Sequence, residues 1–246
     1  MEKEEIKQIY QQDFFGEKKN EEILVNSDEF YDNDKAFAYI TYYLQSHTKD
    51  AKILDAACGN GMYGNKLYEI GYRNIHLLDL FENVNTYGVY TQGSIDKLPY
   101  QNGSFDFIYC LSAIYYLDDP RDGIREFARC LKKGGHLILS GHTKYSFQAC
   151  KRRMLVRFHR KKAKGLQGVK FDHDPVEYRK MCESCGLRVI SMDGINRKLY
   201  YRIYSHLKRK RGIILPLGKV KVKEAGSLNI INARFSYHSI IVCEKI

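Results

Sequence analysis

The most informative part of the chain reads Ile53-Leu54-Asp55-Ala56-Ala57-Cys58-Gly59-Asn60-Gly61. Its first half predicts a short buried strand that ends at Asp55, and its second half is a glycine-rich turn leading into a helix from Met62. Glycines directly after a buried strand let the backbone approach a ligand closely, and the first turn of the helix offers unpaired N–H groups. We interpret this stretch as a cofactor-binding turn.

The turn is compatible with two kinds of ligand. Gly59, Gly61 and Gly64 satisfy the pattern G-x-G-x-x-G of dinucleotide-binding proteins, and Asp79 follows Gly59 by twenty residues. A nicotinamide oxidoreductase is therefore one hypothesis. Asp55 argues against it, because a carboxylate at the end of the strand suits a cationic ligand better than a pyrophosphate. An adenosine-bearing ligand with an amino-acid ammonium fits better.

Strands and helices alternate on either side of this turn. Further strands are predicted at 75–79, 89–91, 105–111, 136–140, 187–191 and 239–244, with helices at 62–70, 122–131, 147–158 and 175–185. Lys132 to Gly135 are expected to close the second of these helices. This alternation predicts an α/β fold with a parallel, doubly wound sheet.

The chain is predicted to be a single domain, residues 1–246. Residues 1–50 form an N-terminal helical cap, 51–140 a cofactor-binding core, 141–238 insertions on the acceptor side, and 239–246 the last strand. No internal repeat, run of eighteen apolar residues or secretory signal is present, so we expect a cytoplasmic protein. Seven scattered cysteines indicate reduced thiols; Cys182 and Cys185 are expected to be core thiols, and no metal site is predicted.

The net charge of +11 is concentrated in two short segments. Residues 151–164 contain eight Lys/Arg and residues 197–211 contain seven, with no acid in either. The rest of the chain is slightly acidic, with 25 Lys/Arg against 29 Asp/Glu. Apolar side chains recur at helical spacing within both segments. Three interpretations stay open: solvated helix faces, binding to an anionic membrane at which the protein is peripheral, or stacking on RNA.

Several ordered motifs within residues 52–140 resemble the class I S-adenosylmethionine-dependent methyltransferases, in particular the type 11 subgroup. They are LDAACGNG at 54–61, Asp79, LPY at 98–100 with SFD at 104–106, and RCLKKGG at 129–135. Ala57 stands where the family more often has Gly. The resemblance implies a Rossmann-like fold whose mostly parallel sheet has seven strands, with helices on both faces and the last strand antiparallel.

The resemblance also assigns a binding site for the cofactor S-adenosyl-L-methionine. The residues that it implies are Asp55, Ala57, Cys58, Gly59 and Gly61 for the methionine portion, Asp79 and Leu80 for the ribose and adenine face, Ser94, Ile95 and Asp96 for the adenine edge, and Leu111 near the sulfur. The family usually has Asp where Ser94 stands, and Asp96 is expected to substitute for it.

The acceptor side follows the family less closely. Tyr115 and Tyr116 stand where the family often has two histidines. Loops after the carboxyl ends of strands face the ligand, so a general base is expected among His142, Tyr115 and Tyr116, with His173 as a further candidate and His142 preferred.

The sequence therefore predicts a methyltransferase with a small-molecule, sugar-linked or lipid-linked acceptor and no protein partner. The run GNGMY at 59–63 is similar to tRNA wobble-uridine methyltransferases, which makes an RNA acceptor the alternative. A catalytically idle protein that retains the cofactor is a further hypothesis, because Ser94 and the tyrosine pair depart from the family pattern.

Overall fold

The computed structural model describes residues 34–81, 86–147, 149–150, 153–154, 173–195, 222 and 228–246. The predicted first helix of the N-terminal cap, most of the basic segment 151–164 and all of the segment 197–211 lie outside these residues.

The described part of the chain forms a seven-stranded sheet with helices on both faces. The strands are β1 (Ile53–Ala56), β2 (Ile75–Asp79), β3 (Val89–Gln92), β4 (Phe105–Leu111), β5 (Leu131–His142), β6 (Leu187–Ile195) and β7 (His238–Lys245). The helices are α1 (Lys35–Leu44), α2 (Met62–Glu69), α3 (Pro120–Cys130), α4 (Pro175–Ser184) and α5 (Ile230–Phe235), with a 3₁₀ turn at Ile114–Tyr116.

The strand order is β3-β2-β1-β4-β5-β7-β6, and β7 is the antiparallel strand, paired with both β5 and β6. The predicted Rossmann-like fold is confirmed. β1 to β5 are parallel, so their carboxyl ends lie at one edge of the sheet, here called the carboxyl edge. β7 runs the other way and therefore begins at this edge.

Two buried clusters fill the space between the sheet and its helices. One face of the sheet packs against α1 and α2, whose Tyr39, Ile40 and Leu67 are fully buried. The other face packs against α3, α4 and α5 through residues such as Phe127 and Tyr178. Both faces of the central strands are therefore covered, as their almost continuous burial requires.

Local sequence signals explain where the helices begin. Asp34 caps α1 by accepting from the amides of Ala36 and Phe37. Asp174 caps α4 in a reciprocal arrangement with Glu177, and Pro175 occupies the first helical position. Side-chain acceptors satisfy the amides that the first turn leaves unpaired, so these starts could be predicted from the sequence.

The end of α3 differs from the prediction. The helix begins at Pro120, two residues earlier than expected, and ends at Cys130. Lys132 to Gly135 do not cap it, because Leu131 is already extended and pairs with Phe105 as the first residue of β5. The next pair is Phe107 with His136, so the four intervening residues bulge out, with Gly134 left-handed at φ +75°.

Candidate active site

The predicted cofactor residues lie where the central strands end. β1 and β4 are neighbours at the point where the strand order reverses direction, and ligands of open α/β sheets bind in the crevice outside such a point. β1 is followed by the glycine-rich turn, β2 ends at Asp79 and β4 ends at Leu111. The glycine-rich turn, Asp79 and Leu111 thus lie at one edge, whereas the motifs at 104–106 and 129–135 lie where β4 and β5 begin, at the other.

The glycine-rich turn has an alternating left-handed backbone. Ala57, Gly59 and Gly61 have φ values of +63°, +57° and +72°. The amides of Ala57 and Cys58 donate to the carbonyl of Leu78 at 2.7 and 3.0 Å, which ties the turn to β2. A left-handed conformation costs little for glycine and more for alanine, so Ala57 is a strained position, which explains the family's preference for Gly there.

Asp55 is a buried carboxylic acid without full hydrogen bonding. Its side chain is 3% exposed, and its Oδ2 atom accepts no hydrogen bond within the described part of the protein. Desolvation by burial raises the pKa of Asp55 to about 7, with a smaller contribution from the Asp79 charge, while the neighbouring Tyr109 hydroxyl and the Gly64 amide lower it. A buried acceptor of this kind favours a cationic or hydrogen-bond-donating ligand.

Asp79 connects the end of β2 to the glycine-rich turn. Its Oδ2 accepts from the amide of Gly59 at 2.8 Å and its Oδ1 accepts from the amide of Phe81 at 3.2 Å. Burial raises the pKa of Asp79, although these backbone amides oppose the shift. An ionised carboxyl group has about four acceptor positions, and the amides of Gly59, Phe81 and Leu80 do not fill all of them, so Asp79 can still accept from a ligand hydroxyl.

The residues predicted to border the adenine lie along the next loop. The amide of Gly93 donates to the carbonyl of Asp79, which places the loop beside β2. Ile95 is buried, Ser94 is half-buried and Asp96 is exposed. Leu80 and Leu111 are half-buried at the ends of β2 and β4.

The three predicted acceptor-side residues lie together. The ring of Tyr115 is centred 4.1 Å from that of His142 and 4.7 Å from that of Tyr116. Tyr115 and His142 are 4% and 6% exposed. His173 lies apart, with Nδ1 at 3.3 Å from a carboxylate oxygen of Glu177, and its backbone bridges to Thr143.

Three further residues join this group that sequence reasoning missed. His238 and Tyr237, at the start of β7, have rings centred 4.3 and 4.8 Å from that of His142. Ser112, which is left-handed at φ +60°, places its hydroxyl 3.3 Å from Nδ1 of His238. The expected antiparallel direction of the last strand was the signal that could have found them, because such a strand must begin at the carboxyl edge. We call Tyr115, His142, Tyr237 and His238 the acceptor-side cluster.

Burial decides the protonation state of Tyr115. Desolvation, and then the neighbouring phenols of Tyr116 and Tyr237, raise the pKa of Tyr115 well above 10. Its hydroxyl therefore stays protonated at neutral pH and can donate a hydrogen bond, but it is a poor base.

The opposite edge of the sheet holds different chemistry. Nε2 of His47 and Nδ1 of His136 are 2.8 Å apart, and Lys132 and Arg188 form ion pairs with Asp106 and Glu244. An open groove of about 730 Å³ borders this edge, with His136, Arg188 and Glu244 among its lining residues. None of the predicted site residues lines it.

The sheet order with its antiparallel β7 defines the class I methyltransferase fold. Residues 54–139 match the family model described as a methyltransferase domain. Over this segment the chain is similar to S-adenosylmethionine-dependent methyltransferases, as the sequence motifs indicated.

Curated relatives resemble only part of the chain. A stretch of 53 residues, 22% of the chain, is 40% identical to an uncharacterized methyltransferase of Bacillus subtilis and covers 21% of that protein. A stretch of 102 residues, 37% of the chain, is 31% identical to a tRNA U34 carboxymethyltransferase of Aliarcobacter butzleri and covers 34% of it. The chain thus matches about a fifth to a third of the lengths of these relatives.

Among solved structures, the fold resembles a SAM-dependent methyltransferase, possible histamine N-methyltransferase, from Thermotoga maritima. The TM-score is 0.58 with 17% identity, and the match covers 98% of this chain and 100% of the other. At this identity the likeness concerns the fold alone. Within the described residues, no helix is both long and apolar enough to cross a membrane.

Proposed function

We propose that the protein transfers a methyl group from S-adenosyl-L-methionine to a small-molecule, sugar-linked or lipid-linked acceptor. The observation that carries the proposal is the buried Oδ2 atom of Asp55, which lacks a hydrogen bond beside the left-handed turn. An ammonium group of the methionine portion would supply the missing donor and the compensating charge.

The other cofactor residues follow from the same placement. Gly59 and Gly61 let the backbone approach the methionine portion without side-chain obstruction, with Ala57 and Cys58 completing the turn. The remaining acceptor capacity of Asp79 suits a ribose hydroxyl. Leu80, Ser94, Ile95 and Asp96 would border the adenine, and Leu111 would face the sulfur.

The chemistry asks mainly for positioning. The sulfonium of the cofactor supplies an electrophilic methyl group, so the protein must align the acceptor atom in line with it and remove a proton where the acceptor carries one. We assign proton removal to His142, which lies at the end of β5 within the acceptor-side cluster. Tyr115, protonated, and Tyr116 would orient the acceptor by donating hydrogen bonds.

The test begins with calorimetry of S-adenosylhomocysteine binding to the full chain. Tight binding is expected, and its absence contradicts the proposal. Labelled cofactor and an acceptor screen then test transfer. His142→Asn is expected to lower kcat while leaving the affinity for S-adenosylhomocysteine unchanged, with Ser184→Ala, on the far end of α4, as the matched control. A chain that binds the cofactor but methylates nothing would favour the idle-protein hypothesis.

An RNA acceptor is the second candidate. The identity of 31% over 102 residues to a tRNA U34 carboxymethyltransferase favours it, together with the fifteen cations in 151–164 and 197–211. Filter binding of tRNA at increasing salt distinguishes the two, since phosphate contacts by several Lys/Arg produce a steep salt dependence. Methylation of tRNA by the wild-type protein would establish this alternative, and its absence together with transfer to a small acceptor would exclude it.

A further inference from the structure

Large apolar side chains are exposed on the carboxyl edge beside the acceptor-side cluster. We call Tyr145, Phe147, Ile231 and Phe235 the aromatic patch; they are 43%, 76%, 76% and 62% exposed. The rings of Tyr145 and Phe235 are centred 6.5 Å apart, so the two segments meet. Exposed apolar side chains that cluster in this way mark an interaction surface more often than isolated ones do.

Helix α5 is apolar on two sides. Ala233 is fully buried against the sheet, whereas Ile231 and Phe235, four residues apart, share the opposite face and point into solvent. A surface helix ordinarily has polar residues on its outer face. The outer face of α5 is therefore suited to another apolar medium rather than to water.

Two cations lie beside Tyr145 of the patch. The ammonium of Lys144 and the guanidinium of Arg234 lie 6.0 and 5.7 Å from the ring centre of Tyr145. Arg234 also forms an ion pair with Asp174 at 2.9 Å. The chain that follows Phe147 contains the eight Lys/Arg of residues 151–164. Exposed aromatic and aliphatic side chains with cations beside them are the combination that binds an anionic lipid interface.

The patch adjoins the acceptor-side cluster through the backbone. Tyr145 follows His142 by three residues at the end of β5, and Phe235 precedes His238 by three at the start of β7. A flat surface that covers the patch would therefore lie against the part of the carboxyl edge where the acceptor is expected.

We propose that the aromatic patch docks the protein on the surface of an anionic lipid bilayer, with the carboxyl edge facing the lipid. Phe147, Ile231 and Phe235 insert among the acyl chains near the headgroups, while Lys144 and Arg234 meet anionic headgroups. The idea that docking brings a lipid-linked acceptor to the site rests on the proposed function. The binding of the patch to a membrane does not depend on it.

The test is sedimentation of the full-length protein with phosphatidylcholine vesicles that contain or lack phosphatidylglycerol. We expect binding to the anionic vesicles only. The double variant Ile231→Ser with Phe235→Ser should bind about tenfold more weakly or worse, because two apolar side chains no longer leave water. The matched control is Ile70→Ser with Val89→Ser, which are 41% and 60% exposed and lie at the opposite edge of the sheet.

Each outcome decides the proposal. Loss of vesicle binding in the patch variant and not in the control supports it. Absence of binding to anionic vesicles, equal binding to phosphatidylcholine alone, or equal binding by the patch variant overturns it. So does a patch variant that loses tRNA binding while keeping vesicle binding. Binding of S-adenosylhomocysteine by both variants, measured by calorimetry, would confirm that they are folded. If the wild type did not bind this ligand, the proposed function would be contradicted, but the result of the vesicle experiment would still decide the membrane proposal.

Discussion

Each of the two edges of the sheet contains an Asp carboxyl group, and the two groups differ in hydrogen bonding and in the direction of their pKa shift. The edge opposite the carboxyl edge, where β1 to β5 begin, is here called the amino edge. There Asp106 accepts from the Lys132 ammonium at 2.8 Å and from the Lys52 amide, and these partners hold its pKa below the ordinary value although burial alone would raise it. At the carboxyl edge, Asp55 has an unbonded oxygen and a pKa raised to about 7. A carboxylate that the protein has satisfied stabilises the fold; one left unsatisfied is available to a ligand.

The two edges also differ in backbone strain. At the amino edge the described left-handed residues are all glycines, namely Gly71, Gly103, Gly134 and Gly186. At the carboxyl edge, Ala57 and Ser112 adopt this conformation despite having side chains. Strained positions of this kind concentrate where a site must be shaped, so both comparisons indicate the same edge.

The largest expected effect follows from Asp55→Asn. The variant removes the charge that would pair with the ligand ammonium, so S-adenosylhomocysteine should bind about 30- to 150-fold more weakly, since a hydrogen bond between charged groups contributes on the order of 2–3 kcal/mol. The melting temperature at pH 8 should not fall, because a costly buried charge is lost. Calorimetry and thermal unfolding measure the two, and wild-type affinity in the variant would contradict the comparison.

The pH dependence of binding should follow from the same carboxyl group. An Asp with a raised folded pKa contributes stability below its unfolded pKa of 3.8, and this contribution is lost as the pH rises through about 7. A cationic ligand requires the ionised form, so affinity for S-adenosylhomocysteine should fall by about eightfold from pH 7.5 to pH 6. Asp55→Asn should show a much flatter profile; an equal slope in both proteins would assign the titration elsewhere.

Asp106→Asn should lower the stability of the fold without changing ligand affinity, the reverse of what we expect for Asp55→Asn. It removes the ion pair with Lys132 at the amino edge, so unfolding free energy should decrease by about 1 kcal/mol, as expected for a largely exposed pair. Affinity for S-adenosylhomocysteine should not change. Urea denaturation and calorimetry test this, and a weakened affinity would show that the two edges are not separable.

Ala57→Gly should produce the smallest change. Glycine adopts φ near +60° without steric cost, which outweighs the greater freedom of the unfolded chain, so the variant should be about 0.5–1 kcal/mol more stable. Gly134→Ala is the converse test at the amino edge and should be destabilising by a similar amount. Thermal unfolding of both variants checks the pair, and a destabilised Ala57→Gly would contradict the strain described for the turn.

Prediction from the sequence succeeded where a signal is local. The strand bounds of β4, the start of α4 at Pro175 and the turn after β1 each depend on residues within one short segment. The start of β5 was misplaced because Leu131 follows its long-range pairing with Phe105 rather than the helix-ending signal of Gly134 and Gly135. Helix α5 was not predicted, since six residues are too few to show a helical period.

The residues of the candidate site also differ in whether a local sequence signal predicts their position. The positions of Asp55 and Asp79 at the carboxyl edge could be predicted because each lies at or next to the end of a recognisable strand. His238 and Ser112 join His142 only through the pairing of β5 with β7, which connects residues about a hundred positions apart in sequence. The raised pKa of Asp55 also could not be predicted from the sequence, because it depends on the burial and the neighbours of the carboxyl group rather than on the motif.

The central position of β7 affects how the sheet can fold. β7 is the last strand of the chain, yet β6 pairs with no other strand among the described residues, and β5 gains its second neighbour only from β7. The sheet from β3 to β5 can form from residues 53–142, whereas its outer two strands must wait for residues 238–245 to pair with strands far away in sequence. We expect such late pairing to make completion of this region the slow step of folding, and loss of those eight residues to leave β6 and the acceptor side without a framework.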